Sequence, residues 1–351
     1  MKYLGIAFSS AVIILAGAVA HHLRVPLGWM LGPLVAAAAL SVLGMRFYAP
    51  IQGRKFGQLV IGTAIGLNMS PEVVARLLSW LPVMLVVTVL SILVCAAASV
   101  LFARIARVDT VSAYYAMLPG GLAEMASVGE AQGGRADVIA LSQTFRVALT
   151  VLLMPPLVWL VLGNPEPAQP HDSALIDWPV LLMMLGFGTV VVHILIAIRL
   201  VNPWMIGSLV AASILTSLGL VEGHVPTVLL WIGQLFIGAF IGARFKRDIL
   251  ARLGRVAWGS ALMLLVSGAV LMGTAAICAA IFPLGFATWA LIMAPGGLAE
   301  MTLTAETMGL DIAIVAAFHI FRVFLVNAFG LAFWGWLDRV GYFRLLGVRR
   351  G

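Results

Sequence analysis

Seven consecutive residues, Pro119-Gly120-Gly121-Leu122-Ala123-Glu124-Met125, occur a second time as Pro295-Gly296-Gly297-Leu298-Ala299-Glu300-Met301, 176 positions later. Gly57-Gln58-Leu59 returns as Gly233-Gln234-Leu235, and Phe145-Arg146-Val147 as Phe321-Arg322-Val323, both at the same offset. Upstream, Trp29-Met30-Leu31-Gly32 matches Trp204-Met205-Ile206-Gly207 at an offset of 175. A fixed period means that one structural unit is present twice. Whatever the chain folds into must accommodate both copies of each motif.

The medium for that fold is set by composition. Charged residues make up 10% of the 351, hydrophobic residues 62%, and mean hydropathy is +1.10. A soluble domain carries about 25% charged residues, so this chain cannot cover itself in water. Val83 to Phe102 and Val256 to Phe282 contain no charged residue, and a run of about 20 apolar residues crosses the hydrocarbon layer. The chain is therefore expected to be an all-α integral membrane protein, with the lipid bilayer as its first partner.

Each copy divides into six apolar segments. They cover about 4–20, 27–45, 56–69, 80–103, 110–128 and 137–162 in the first copy. In the second they cover about 179–198, 203–220, 227–243, 256–282, 286–305 and 312–337. Membrane repeats at 1–163 and 179–351 flank a linker at 164–178 that contains Pro165, Pro167 and Pro170 and no Lys or Arg. Ala18-Val19-Ala20 before His21 imitates a signal-peptide cleavage site, but another apolar segment follows at once and the repeat requires this one, so retention is expected.

Basic residues orient the copies. If the fifth segment of each half turns back at its Pro-Gly-Gly, each half has five transmembrane helices plus one re-entrant hairpin, and the second half is inverted. With the N-terminus in the cytoplasm, 17 of the 21 Lys and Arg then fall inside, only Arg24 and Arg76 fall outside, and Arg146 and Arg322 lie within spans. If the fifth segments cross fully, the count is 10 inside and 9 outside. The positive-inside rule selects the inverted arrangement. It places both termini in the cytoplasm and the linker on the opposite side of the membrane. The net charge of +7 thus reads as orientation and contact with anionic lipid. No segment is long or polar enough for a nucleic-acid-reading module.

The motifs that carry chemistry sit in the interrupted segments. Pro119 and Pro295 stop the incoming helix, and Gly120, Gly121, Gly296 and Gly297 permit close approach or backbone conformations closed to other residues. The restarted helix presents free N–H groups and a positive dipole end, with Glu124 and Glu300 beside them. Two readings fit: ion- or anion-coordinating tips, or carboxylates that cap their own helix starts. Arg146 and Arg322 lie deep in the last span of each half, at a cost of at least about 2.5–3.5 kcal/mol unless paired or hydrated. Glu124, Glu300, Glu130 and Glu306 are the expected partners. Those arginines either clamp the hairpin to the last span or contact a substrate.

Gln143 and His319 precede the arginines by three residues and share their helix face. His319 reads either as a proton relay or as a satisfied core group. Gln58 and Gln234 lie on the thin third segments, where Gly62 with Gly66 and Gly238 with Gly242 allow close packing. Cys95 and Cys278 are isolated in apolar runs. No metal cluster is apparent, and no cofactor is implied.

These duplicated motifs, the Pro-Gly-Gly-Leu-Ala-Glu-Met pair, the Gly-Gln pair and the Phe-Arg pair, resemble the bacterial membrane AbrB family. The resemblance covers essentially the whole chain and differs from the small soluble DNA-binding regulators of the same name. It brings two labels, regulator of gene expression and ammonia monooxygenase, neither of which follows from the residues. Inverted repeats with broken segments favour a secondary transporter or channel for a small solute or ion, with anions included and its site at the midplane between the repeats. The alternative is a membrane-embedded regulator acting through a cytoplasmic protein partner at the basic 244–255 loop or the C-terminal tail. A monooxygenase finds no supporting ligand cluster, so no enzyme activity is expected. A homo-oligomer is compatible with either reading.

Overall fold

The computed structural model describes residues 2–162 and 175–345. The stretch 164–174 of the expected linker and the Arg349-Arg350 tail lie outside the described residues. Within them the chain is helical, with no β-strand. The first copy forms α1 (Lys2–His22), α2 (Gly28–Val42), α3 (Ile51–Gly66), α4 (Pro71–Ser79), α5 (Leu81–Ala106), α6 (Thr110–Met117), α7 (Leu122–Ala131) and α8 (Ala136–Leu162). The second forms α9 (Trp178–Ala197), α10 (Pro203–Ser217), α11 (Thr227–Gly242), α12 (Arg247–Arg252), α13 (Gly254–Ile281), α14 (Phe286–Met293), α15 (Leu298–Thr307) and α16 (Ile312–Arg339), followed by a last turn, α17 (Tyr342–Leu345).

The duplication extends to the backbone. Left-handed residues stand at equivalent places: Arg24 and Arg199 (φ 56° and 57°), Leu27 and Asn202 (54° and 51°), Gly44 and Gly219 (75° and 66°), and Gly133 and Gly309 (88° and 65°). A left-handed residue ends a helix. Gly44 and Gly219 thus follow the ends of α2 and α10 and cut the apolar segments expected at 27–45 and 203–220 to 15 helical residues each. Five helices, α5, α8, α9, α13 and α16, are long and apolar enough to cross a membrane. At 1.5 Å per residue, helices the length of α2 and α10 rise about 22 Å, less than a hydrocarbon core of about 30 Å. Apolar side chains on the long helices are exposed, Val86 of α5 by 66% and Leu182 of α9 by 65%, as a lipid-facing surface requires.

Two compact units form, and neither is one repeat. The first comprises 1–79, 151–247 and 298–316, and the second 80–150, 248–297 and 317–351. Each unit therefore draws on both copies.

In the first unit α10 packs on α3, and α11 on α2 and α3. Small residues make this possible. A Cβ on Gly62 or Gly66 would overlap α10 at Met205, Ser208 and Leu209, and one on Gly238 or Gly242 would overlap α2 at Met30 and Leu34. These contacts are reciprocal under the repeat offset. The equivalent glycines Gly57 and Gly233 meet each other, a Cβ on Gly57 falling 2.7 Å from Gly233 O. Gly53 meets the Phe236 ring, so residue numbers rise along α3 as they fall along α11, and the two equivalent helices cross antiparallel.

The second unit repeats this relation. Trp80, which precedes α5, lies 5.8 Å from Phe282, which follows α13, and Phe102 and Ile105 near the end of α5 face Gly259 near the start of α13. The equivalent helices α5 and α13 run antiparallel. The core beside them buries Phe102, Tyr114, Tyr115 and Trp334, and Tyr114 Oη donates to Gly330 O at 2.9 Å.

Candidate functional site: two broken segments held by arginine

Proline breaks the fifth segment in both copies. A residue before proline is pushed out of the α region. Leu118 (φ −62°, ψ 133°) and Ala294 (φ −53°, ψ 133°) accordingly end α6 and α14 in extended conformation. In the first copy α7 then doubles back along α6. Gly129 lies against Tyr115, and Arg135 N donates to Ser112 Oγ at 2.7 Å. Asp109 caps α6 through Ser112 N at 2.7 Å. The segment returns to the end from which it started.

Gly121 has φ −69°, so here glycine supplies room rather than a left-handed turn. A Cβ on Gly121 would overlap the Glu124 carboxylate, and one on Gly120 would fall 2.7 Å from the Met125 side chain. Glu124 is the third residue of α7 and folds back over the residue before it, the placement of a capping carboxylate. The Glu124 carboxylate thus lies against the start of α7 in this copy. Glu300, its equivalent, is buried on α15.

A helix that stops at a proline leaves its last carbonyls without amide partners. Side chains of the last long helix fill that role, atom for atom in both copies. Arg146 donates to Leu118 O at 2.6 Å and to Gly120 O at 2.9 Å. Arg322 donates to Ala294 O at 2.8 Å and Gly296 O at 3.0 Å. Gln143 Nε2 donates to Tyr115 O at 2.8 Å and Leu118 O at 3.0 Å, and His319 Nε2 meets Leu291 O at 2.9 Å. Each acceptor is displaced by the repeat offset from its counterpart. The planar guanidinium presents two parallel N–H groups, which suits a pair of carbonyls two residues apart. The partners expected for Arg322 were carboxylates; the contacts found are turn carbonyls and His319, because a broken helix end offers concentrated negative dipole in the same place.

His319 has both nitrogens engaged. Arg322 Nη2 lies 2.8 Å from Nδ1, so Nδ1 accepts and Nε2 carries the proton toward Leu291 O. A second proton on Nδ1 would displace the Arg322 N–H, which disfavours the relay reading. Replacement by the residue that does the same work in the other copy should therefore be mild. His319→Gln is expected to keep expression and change stability by no more than about 1 kcal/mol, the scale of one hydrogen bond, measured by thermal unfolding in detergent. Complete failure to fold would show that the imidazole is needed for more than its donor.

A cavity of about 10 Å³ beside Arg322 is lined by Thr88, Ser91, Met293 and Phe318. Arg322 Nε and Ser91 Oγ, both buried, make no hydrogen bond. Ser91 and Thr88 carried no signal in the sequence, since lone hydroxyls in an apolar run are ordinary helix residues. Gln58 belongs to the first unit, where it donates to Asn202 Oδ1 at 3.0 Å and ties α3 to the start of α10. Gln234 is buried on α11; the counterpart of Asn202 in the first copy is Leu27, which has no side-chain acceptor.

Five long apolar helices, further short ones and a duplicated, arginine-held break define a polytopic helical membrane protein. Residues 29–338 match the profile of the family described as "Transition state regulatory protein AbrB", and the chain belongs to that family. A Bacillus subtilis (strain 168) protein named "Uncharacterized protein YhjN" is 28% identical over 333 residues, covering 87% of this chain and 85% of that one. An Escherichia coli (strain K12) protein named "Putative regulator AbrB" is 25% identical over 328 residues, covering 92% of each.

Proposed function

We propose that the protein is a secondary transporter for a small anionic solute, with its two copies inverted in the bacterial inner membrane and both termini in the cytoplasm. The observation that carries this reading is the pair of equivalent broken segments, each held by an arginine from the last long helix. Broken segments in inverted copies are the recurring plan of such transporters. The antiparallel course of α5 and α13, which are equivalent and long enough to span, supports inversion. Backbone away from regular helix is tolerated at membrane depth where protein buries it or a wet path runs past it.

The charge favours an anion. Gln143 satisfies turn carbonyls with a neutral amide, so carbonyls alone do not demand a guanidinium. A full positive charge on Arg322 at that depth is far costlier than an amide, and it is accounted for when an anion visits the site. In proteoliposomes, a gradient of at least one small anion from a panel of carboxylates and inorganic anions should drive uptake. Arg322→Gln should abolish that uptake and Arg76→Gln, a surface change, should not. Absence of uptake across the panel with folded, correctly inserted protein would overturn the reading.

A regulatory role is the second reading, favoured by the family's description and by the E. coli relative's name. The basic group Lys246, Arg247, Arg252 and Arg255 would then receive a cytoplasmic partner. The same uptake assay separates the two, because a regulator of that kind moves no solute.

A further inference from the structure

The first unit carries a group of cations that neither the clamps nor the proposed path uses. Arg54 lies in the first turn of α3 and Arg244 just after α11. The antiparallel crossing of these helices brings both to one ring: Arg54 Cζ is 5.1 Å and Arg244 Cζ 4.9 Å from the centre of Phe240. Lys55 Nζ stands 5.2 Å over Trp204. All three cations are half-buried. Burial, and then the Arg54 charge, push Arg244 down to about 10. Among the described residues neither the Arg54 nor the Arg244 side chain forms an ion pair or donates a hydrogen bond to an acceptor. Two like charges on one ring repel, and the ring face compensates only weakly.

The internal repeat shows that the fold does not require these charges. The counterparts of Arg54, Lys55, Phe240 and Arg244 in the other copy are Leu230, Trp231, Ala64 and Asn68. There Trp231 stacks on Trp29 at 5.8 Å where Lys55 stands over Trp204, and Asn68 Nδ2 donates to Ala64 O at 2.9 Å. The same helix crossing is thus built without a cation. The charges were placed at one end only.

That end is where apolar helix gives way to loop. Gly242 closes α11 two residues before Arg244, exposed Arg46 and Lys246 lie in the adjoining loops, and exposed Arg247 opens α12. The anion available at that depth is a lipid phosphate, and the guanidinium fork matches phosphate oxygens. We propose that Arg54 and Arg244, both set against the Phe240 ring and flanked by Lys55, bind the phosphate of an anionic phospholipid headgroup. The site is independent of whether the protein transports anything.

Native mass spectrometry of the full chain in detergent tests this, with phosphatidylglycerol and phosphatidylcholine offered in equal amounts. The wild type should retain phosphatidylglycerol in preference. Arg54→Gln with Arg244→Gln should reduce that preference about thirtyfold, as expected for two juxtamembrane cations, while Arg104→Gln leaves it intact. Phe240→Leu, which keeps every charge, should weaken retention by removing the ring against which both guanidiniums are positioned. Undiminished preference in both the double variant and Phe240→Leu would overturn the proposal. Displacement of phosphatidylglycerol by millimolar inorganic phosphate would equally overturn it, because the ligand would then be a soluble anion.

Discussion

Arg322→Ala should be among the most damaging single substitutions in this protein. It leaves Ala294 O and Gly296 O without the donors at 2.8 and 3.0 Å and takes the partner from His319 Nδ1. A buried polar group left without a partner costs about 1–3 kcal/mol, so two carbonyls put the loss at roughly 2–6 kcal/mol, a large share of the stability of a typical domain. Arg322→Lys should fall between, because one ammonium cannot fork two carbonyls. The comparison is Arg76→Ala, which breaks an ion pair of 2.7 Å whose side chains are 52% and 28% exposed. Such pairs contribute about 0–1 kcal/mol. Thermal unfolding in detergent, followed by size-exclusion fluorescence, should rank wild type close to Arg76→Ala, then Arg322→Lys, then Arg322→Ala. Equal stability of Arg322→Ala and Arg76→Ala would mean that the clamp holds nothing.

Gly57→Val should disrupt the first unit to a similar degree. The obstacle is backbone: Gly233 O at 2.7 Å and Gly233 Cα at 3.1 Å from the added Cβ. Neither helix can yield locally, since Gly62, Gly66, Gly238 and Gly242 fix the same pair of helices against α10 and α2. Overpacking typically costs about 1–3 kcal/mol, and a backbone obstacle places this case at the upper end. Gly233→Val should be milder, since its Cβ meets Gly57 Cα at 3.1 Å and Gly57 O at 3.5 Å. Gly186→Ala on α9 meets nothing within 4 Å and should be neutral or stabilising by up to about 1 kcal/mol, because alanine is the better helix former. Similar behaviour of Gly57→Val and Gly186→Ala would contradict the close crossing.

Much of this was legible in the sequence because repetition is a register, and registers survive folding. The offset found in Pro-Gly-Gly reappears in left-handed residues, in glycine contacts and in the oxygen atoms that Arg146 and Arg322 hold. The break itself was legible because proline acts locally on Leu118 and Ala294. The acceptors for the arginines were not. A sequence displays carboxylates, whereas a carbonyl becomes an acceptor only once a helix stops beside it. The division into units was hidden for a related reason: α3 packs on α10 and α11 on α2, partners that belong to opposite copies. Arg54 and Phe240 lie far apart in sequence, and only the crossing angle of α3 and α11 brings them together. The second helix of each copy was overestimated because apolar residues continue past Gly44 and Gly219 after the helix has ended.

Inversion of the two copies is the claim on which the transport reading depends, and a single labelling experiment addresses it. Arg46 and Glu222 are equivalent under the repeat offset of 176, and both are exposed in the loops that join the second and third helices of their copies. Cys95 and Cys278 are first replaced by alanine. Arg46→Cys and Glu222→Cys are then labelled in intact cells and in inverted vesicles with a membrane-impermeant thiol reagent. Inverted copies predict that Cys at position 222 reacts in intact cells and Cys at position 46 only in inverted vesicles. Reaction of both from the same side would make the copies parallel and would contradict the account.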